Sequence, residues 1–139
     1  MKKVLIFLII IFVSCESKRE NFITGTPLES VIKLQSAESL LNFEEAKKYI
    51  DLKKVFKDNP ESADVEKEWK EMITFFYNLG KDKKFTNQFE YYDYKIVQSI
   101  DKNRAEVKFI PNRKNKKKIF YSLELKNNTW IVIDIKHIS

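Results

Sequence analysis

The segment Ala105-Glu106-Val107-Lys108-Phe109 alternates apolar and charged side chains without a slip. An extended backbone points successive side chains to opposite faces, so Ala105, Val107 and Phe109 share one side while Glu106 and Lys108 share the other. The spacing predicts a half-buried strand. Before Lys81-Asp82-Lys83-Lys84 the apolar period is near 3.6, and after it the period is 2. That switch decides the fold class.

Outward from this strand the same period recurs. Residues 89–97 are aromatic and rich in strand formers, with Tyr92, Tyr94 and Ile96 on one face, and Asp101-Lys102-Asn103 forms the turn that follows. After a second turn over 111–117, Ile119, Tyr121, Leu123 and Leu125 make the inner face of a third strand. Asn127-Asn128 sets the third turn, and 130–138 is apolar on both faces, as a covered strand should be. Four strands in a row with short turns predict an antiparallel meander.

Upstream, Thr26-Pro27-Leu28-Glu29 combines a capping threonine, a proline where a missing N–H costs nothing, and a glutamate that completes a capping box. Val31, Leu34, Ala37 and Leu41 follow at helical spacing. Asn42 breaks that helix and caps a second, with Phe43, Ala46 and Ile50 inward. Residues 52–58 read as an irregular connection from which Val55 and Phe56 reach the core. Asn59-Pro60 opens a third helix that Gly80 closes, with Val65, Trp69, Met72, Ile73 and Phe76 in one apolar stripe. The expected fold is α+β: three N-terminal helices packed on one face of a curved four-stranded antiparallel meander.

The first fifteen residues carry a different message. Lys2 and Lys3 precede ten uninterrupted apolar residues, then Ser14 and the chain's one cysteine, Cys15. That is the layout of a secretory leader. A transmembrane anchor is the competing reading, but as a helix the apolar run spans roughly 15 Å, half of a hydrocarbon core of about 30 Å, and the polar residues after Cys15 prevent lengthening, so a cleaved signal is the preferred reading. The residues Phe12-Val13-Ser14-Cys15 resemble the bacterial lipoprotein signal, with phenylalanine where leucine is usual. The resemblance implies cleavage before Cys15 and attachment of a diacylglyceryl group, often with a further palmitate-type chain, which anchors the protein to a membrane. The domain plan is then 1–14 signal peptide, 15–25 lipidated tether and 26–139 a single α+β domain in the cell envelope, outside the cytoplasm.

The order of elements, with Asn42-Phe43-Glu44-Glu45-Ala46 at the helix break and Lys126-Asn127-Asn128-Thr129-Trp130-Ile131-Val132 at the end, resembles the nuclear-transport-factor-2-like (cystatin-like) superfamily. It is most similar to the lumazine-binding-like lipoprotein domains of unknown function. The likeness covers 26–138 and implies a cone-shaped domain with a pocket between sheet and helices. Such a fold hosts enzymes, ligand binders and adaptors alike.

Composition removes many chemistries. Two glycines cannot build a phosphate-cradling loop, and no G-x-S-x-G, H-E-x-x-H or C-x-x-C occurs. One histidine, His137, supports neither a triad nor a multi-histidine metal centre, and no cofactor is expected. Asp64, Glu68 and Glu71, with Glu61, line one helix face; a solvated face is the plainer reading than a cation site. Asp93 and Asp134 are strand carboxylates that would serve as a base if they pointed into a cone. Tyr92, Tyr94, Tyr121 and Trp130 would line a pocket for a small apolar ligand, or else form ordinary core. Phe120, Ile131, Ile133 and Ile135 fall on the outer sheet face, where an apolar surface would meet a second copy or a protein partner.

Charge is split along the chain: residues 15–80 hold ten basic and thirteen acidic side chains, residues 81–139 fourteen and seven. Arg113, Lys114, Lys116, Lys117 and Lys118 cluster at one hairpin tip. No aromatics interleave with them and an exported domain seldom meets nucleic acid, so an acidic partner, lipid headgroups or plain solvent are the candidates. The sequence therefore reads as a membrane-anchored, non-catalytic binding or interaction module. The alternatives are a cone-pocket enzyme using a strand aspartate, and an immunity or inhibitor lipoprotein that binds an acidic protein.

Overall fold

Among the described residues, four helical segments are set by side chains that capture free backbone N–H groups at their starts. The computed structural model describes residues 25–58, 63–81 and 93–139. The leader, Cys15, the tether to residue 24, Asn59-Pro60, Glu61 and Tyr92 lie outside the described residues. In α1 (Pro27–Ser39) Thr26 Oγ1 accepts from the Glu29 N–H at 3.1 Å. Asn42, Asp51 and Asp64 do the same for α2 (Phe43–Ala46), α3 (Leu52–Val55) and α4 (Val65–Lys81).

Among the described residues the expected count of three helices becomes four. The added one, α3, is a single turn inside the stretch read as irregular, too short to show a period; Val55 and Phe56 do pack against the core. Three helix limits also differ from expectation, the first being the start of α4, which lies at Val65 behind the capping Asp64 and not at Asn59-Pro60. The first helix stops at Ser39, and Leu41 takes φ 55° while Leu41 N–H bonds Glu38 C=O and Asn42 N–H bonds Ala37 C=O. This is a Schellman closure with leucine in the left-handed place that glycine usually fills. At the other end Gly80 stays inside α4, which runs on to Lys81.

The strands β1 (Tyr94–Asp101), β2 (Arg104–Pro111), β3 (Lys118–Lys126) and β4 (Thr129–Ile138) form one open antiparallel sheet in sequence order. Asn127 and Asn128, at φ 47° and 62°, make the tight turn whose twist suits a two-residue hairpin. Ala105, Val107 and Phe109 of β2 are buried, while Glu106 is exposed and Lys108 half-buried on the other face, as the alternation requires.

One irregularity changes which residues share a face. Leu123 pairs with Val132 and Ser122 with Asp134, so Ile133 has no opposite number. A bulge of one residue reverses the alternation beyond it. Ile135 therefore stands opposite Tyr121 and packs against the core, not on the outer face expected for it. Phe120, opposite Lys136, and Ile131, opposite Glu124, keep the outer parity.

α1 lies across the sheet, burying Val31, Leu34 and Ala37 against Val107, Phe109, Leu123 and Val132. The chain at 49–51 docks on β4 through a parallel bridge, with Asp51 N–H to Val132 C=O and Val132 N–H to Tyr49 C=O, both at 2.8 Å. α4 is placed differently from expectation: it packs on α1 and α3. Its one buried residue is Trp69, and the Met72 and Phe76 expected in its core stripe are exposed.

Candidate functional site

Some of the sequence candidates, Asp93, Tyr94 and the turn cations, meet at one end of the sheet, where β1 begins beside the β2–β3 turn. Asn112 N–H donates to the Asp93 carbonyl at 2.8 Å, extending the β1–β2 ladder one step past Tyr94 and Pro111. That step tucks Asp93, 5 % exposed, beneath the turn. Lys116 donates to one of its carboxylate oxygens, and Arg113 lies 3.8 Å from the other. The Lys116 ammonium also stands 5.7 Å from the Tyr94 ring centroid. A carboxylate withdrawn from water needs such partners, and cations in the turn supply them.

This geometry divides the expected basic patch. Lys116 and Arg113 are directed at Asp93, whereas Lys114, Lys117 and Lys118 are exposed. The sequence showed five cations in six positions but could not show that a residue about twenty positions upstream engages two of them. Asp134, the other strand carboxylate, is partly exposed and pairs with Lys136 at 3.3 Å.

The expected pocket aromatics form a packed row. Tyr94 meets Phe109 edge-on at 6.2 Å between centroids, and Phe109 meets Tyr121 at 5.7 Å. The Tyr121 hydroxyl accepts from Gln35 Nε2 of α1 at 2.8 Å, so its polar end is engaged between helix and sheet. Trp130 is buried with Leu123 and Val132. Phe109, fully buried and outside the expected pocket set, joins two of the four candidates.

The acidic line on α4 is interleaved with lysines. Asp64, Glu66, Lys67, Lys70 and Glu71 line an open groove, in which Lys70 pairs with Glu66 at 2.6 Å and Lys67 with Glu71 at 3.8 Å. Lys47 of the α2 end joins Glu66 at 3.1 Å. These lysines, Lys70 first, hold the Glu66 carboxyl below its ordinary range. Among the described residues no group of three His, Cys, Asp or Glu side chains is arranged to hold a metal ion.

A second ionic cluster ties α3 to the β3–β4 hairpin. Lys126 pairs with Asp51 at 2.9 Å, and Lys54 with Glu124 at 2.5 Å. Partial burial pushes the Asp51 carboxyl up, but the hydrogen bonds from Lys126 and the Lys54 N–H outweigh it and leave the pKa lowered. Glu124 is lowered chiefly by Lys54.

Glu38 is a titratable group outside the expected site residues. It sits seven residues after Val31, on the apolar side of α1, and that position was the available signal. Burial raises its pKa, and a hydrogen bond from the Trp69 indole N–H offsets only part of the effect. Comparison with protein-family models, curated proteins and solved structures finds no match to this chain.

Proposed function

We propose that this chain is a membrane-anchored lipoprotein of a bacterial cell envelope, held by acyl chains on Cys15 and presenting a non-catalytic binding or interaction domain outside the cytoplasm. The observation that carries the reading is the leader: Lys2-Lys3, ten apolar residues, Ser14 and the one cysteine. The first described helix begins at Pro27, which leaves a short polar stretch after Cys15 to serve as a tether and supports the reading. Within that role we read the domain as cone-shaped and nuclear-transport-factor-2-like. Helices that precede a four-stranded meander in sequence order, with α1 across the sheet, support this part.

The enzymatic alternative turns on Asp93, which is buried as that alternative requires. Its carboxylate is engaged by Lys116 and approached by Arg113, an arrangement suited to pinning the turn more than to taking a proton from a substrate. The non-catalytic reading is therefore preferred.

Metabolic labelling with a fatty-acid analogue tests the anchor. Wild-type protein should carry label, and Cys15→Ala should carry none and leave the membrane fraction. Equal labelling of the two would refute the proposal.

A further inference from the structure

The strand β4 ends an open sheet, with β3 on one side alone. At Val132 its other side is taken: the Val132 C=O accepts from Asp51 N–H, and the Val132 N–H donates to Tyr49 C=O. A strand alternates its backbone groups in step with its side chains. Val132 faces the core and turns its N–H and C=O off the sheet edge. Ile135, past the bulge, faces the core again, so its N–H and C=O leave by the same edge, where no backbone group of the described residues meets them. On the outer face of this segment lie Asp134 and Lys136, opposite Ser122 and Phe120 of β3 and 3.3 Å apart at their charged ends. Lys136, His137 and Ile138 are exposed. The order acid, apolar, base is self-complementary. A second copy laid antiparallel, with the two Ile135 residues opposite one another, sets each Asp134 against the other copy's Lys136.

We propose that two copies of this chain associate edge to edge through residues 133–137 of β4, joining their four-stranded sheets across a two-fold axis at Ile135. An open edge pairs readily with another strand, and a two-fold contact uses the same patch on both copies. Charge fixes the register. Moving the axis one residue either way would set two Lys136 or two Asp134 side chains face to face, and like charges directly opposite repel. Ile135 on the axis supplies N–H and C=O groups in the direction that a hydrogen-bonded pair requires. The 49–51 segment occupies the edge at Val132, the place residue 138 of the second copy would take, and so ends the ladder. Such a ladder is far smaller than the roughly 2,000 Å² or more of an obligate interface, so the dimer dissociates on dilution. The pairing goes beyond the anchored role and does not depend on acylation of Cys15.

The test is the oligomeric state of the full chain in non-ionic detergent, followed by sedimentation equilibrium as the protein is diluted. Wild type should show a monomer–dimer equilibrium. Asp134→Lys and Lys136→Asp each set like charges across the axis and should weaken the dimer about tenfold. The double variant Asp134→Lys with Lys136→Asp restores opposite charges and should return to within about twofold of wild type. That rescue would also show that the single losses are not misfolding. A monomer at every concentration, a dimer indifferent to both single reversals, or a double variant that fails to recover would overturn the inference. So would a dimer that Phe120→Ser dissolves while the charge reversals leave it intact, since the second copy would then lie on the outer sheet face. Association through residues 1–14 would ignore all changes in β4 and so falls among the overturning results.

Discussion

The indole N–H of Trp69 on α4 donates to Oε1 of Glu38 on α1 at 2.8 Å, inside the contact that joins the two helices. Phe43 meets the same indole edge-on at 5.2 Å, so one residue of α4 holds both a polar and an aromatic partner. No cation pairs with Glu38 among the described residues, which is why burial dominates its titration.

Glu38 should make the protein less stable as pH rises. Its folded pKa lies above the unfolded value, so the folded state binds more protons between the two. The stability it contributes is complete below the ordinary glutamate range and is lost as pH climbs through the raised value. Glu38→Gln keeps an acceptor for the indole and removes the charge. The variant should melt at a higher temperature than wild type at about pH 8, with the gap closing by about pH 4. A constant gap would assign the effect to packing.

Trp69→Ala should free α4 without unfolding the sheet. Removing a buried tryptophan costs about 3–5 kcal/mol when the whole fold depends on it. Here α4 contacts other helices, while α1 is the helix that packs on the sheet, against β2 and β4. Hydrogen exchange should show α4 amides losing protection while those of Val107 and Leu123 retain it. Equal loss in both would mean that the helix and sheet unfold as one unit.

Asp93→Asn, Lys116→Met and the double variant form a thermodynamic cycle for the turn. Each single change leaves a polar group under the turn without its counterpart, and the coupling should be about 1–3 kcal/mol. Destabilisation in the double variant should be smaller than the sum of the two singles. Additive effects would show that the pair contributes no more than its packing.

The Asp51 cluster should fail in acid. Its folded pKa is lowered, so the stability it supplies is present above the ordinary aspartate range and lost as pH falls through the lowered value. Asparagine can still cap α3, so Asp51→Asn isolates the pairing with Lys126. The variant should melt below wild type at about pH 7 and together with it by about pH 2. Raised salt should narrow the gap at neutral pH, as for a partly exposed pair.

Much of the fold was legible along the chain because its signals are local. The alternation around Val107, the Thr26-Pro27-Leu28-Glu29 start and the Asn127-Asn128 turn each depend on a few neighbouring residues. The one-turn α3 was not legible, since four residues carry no period. The left-handed Leu41 was hidden as well: leucine at helical spacing looks like a core position, and only the Schellman hydrogen bonds show that the helix has already ended.

The period switch and the four-strand meander follow from sequence alone, because each is a pattern in consecutive side chains. Three features were decided only when distant segments met. The bulge at Ile133 turned Ile135 inward, since a neighbouring strand determines which residue goes unpaired. Asp93 found its partners in a turn that begins some twenty residues later. Met72, Phe75 and Phe76 of α4 are exposed while Trp69 and Ile73 face the core, since an amphipathic pattern states which side is apolar without stating how much of it neighbouring elements will bury.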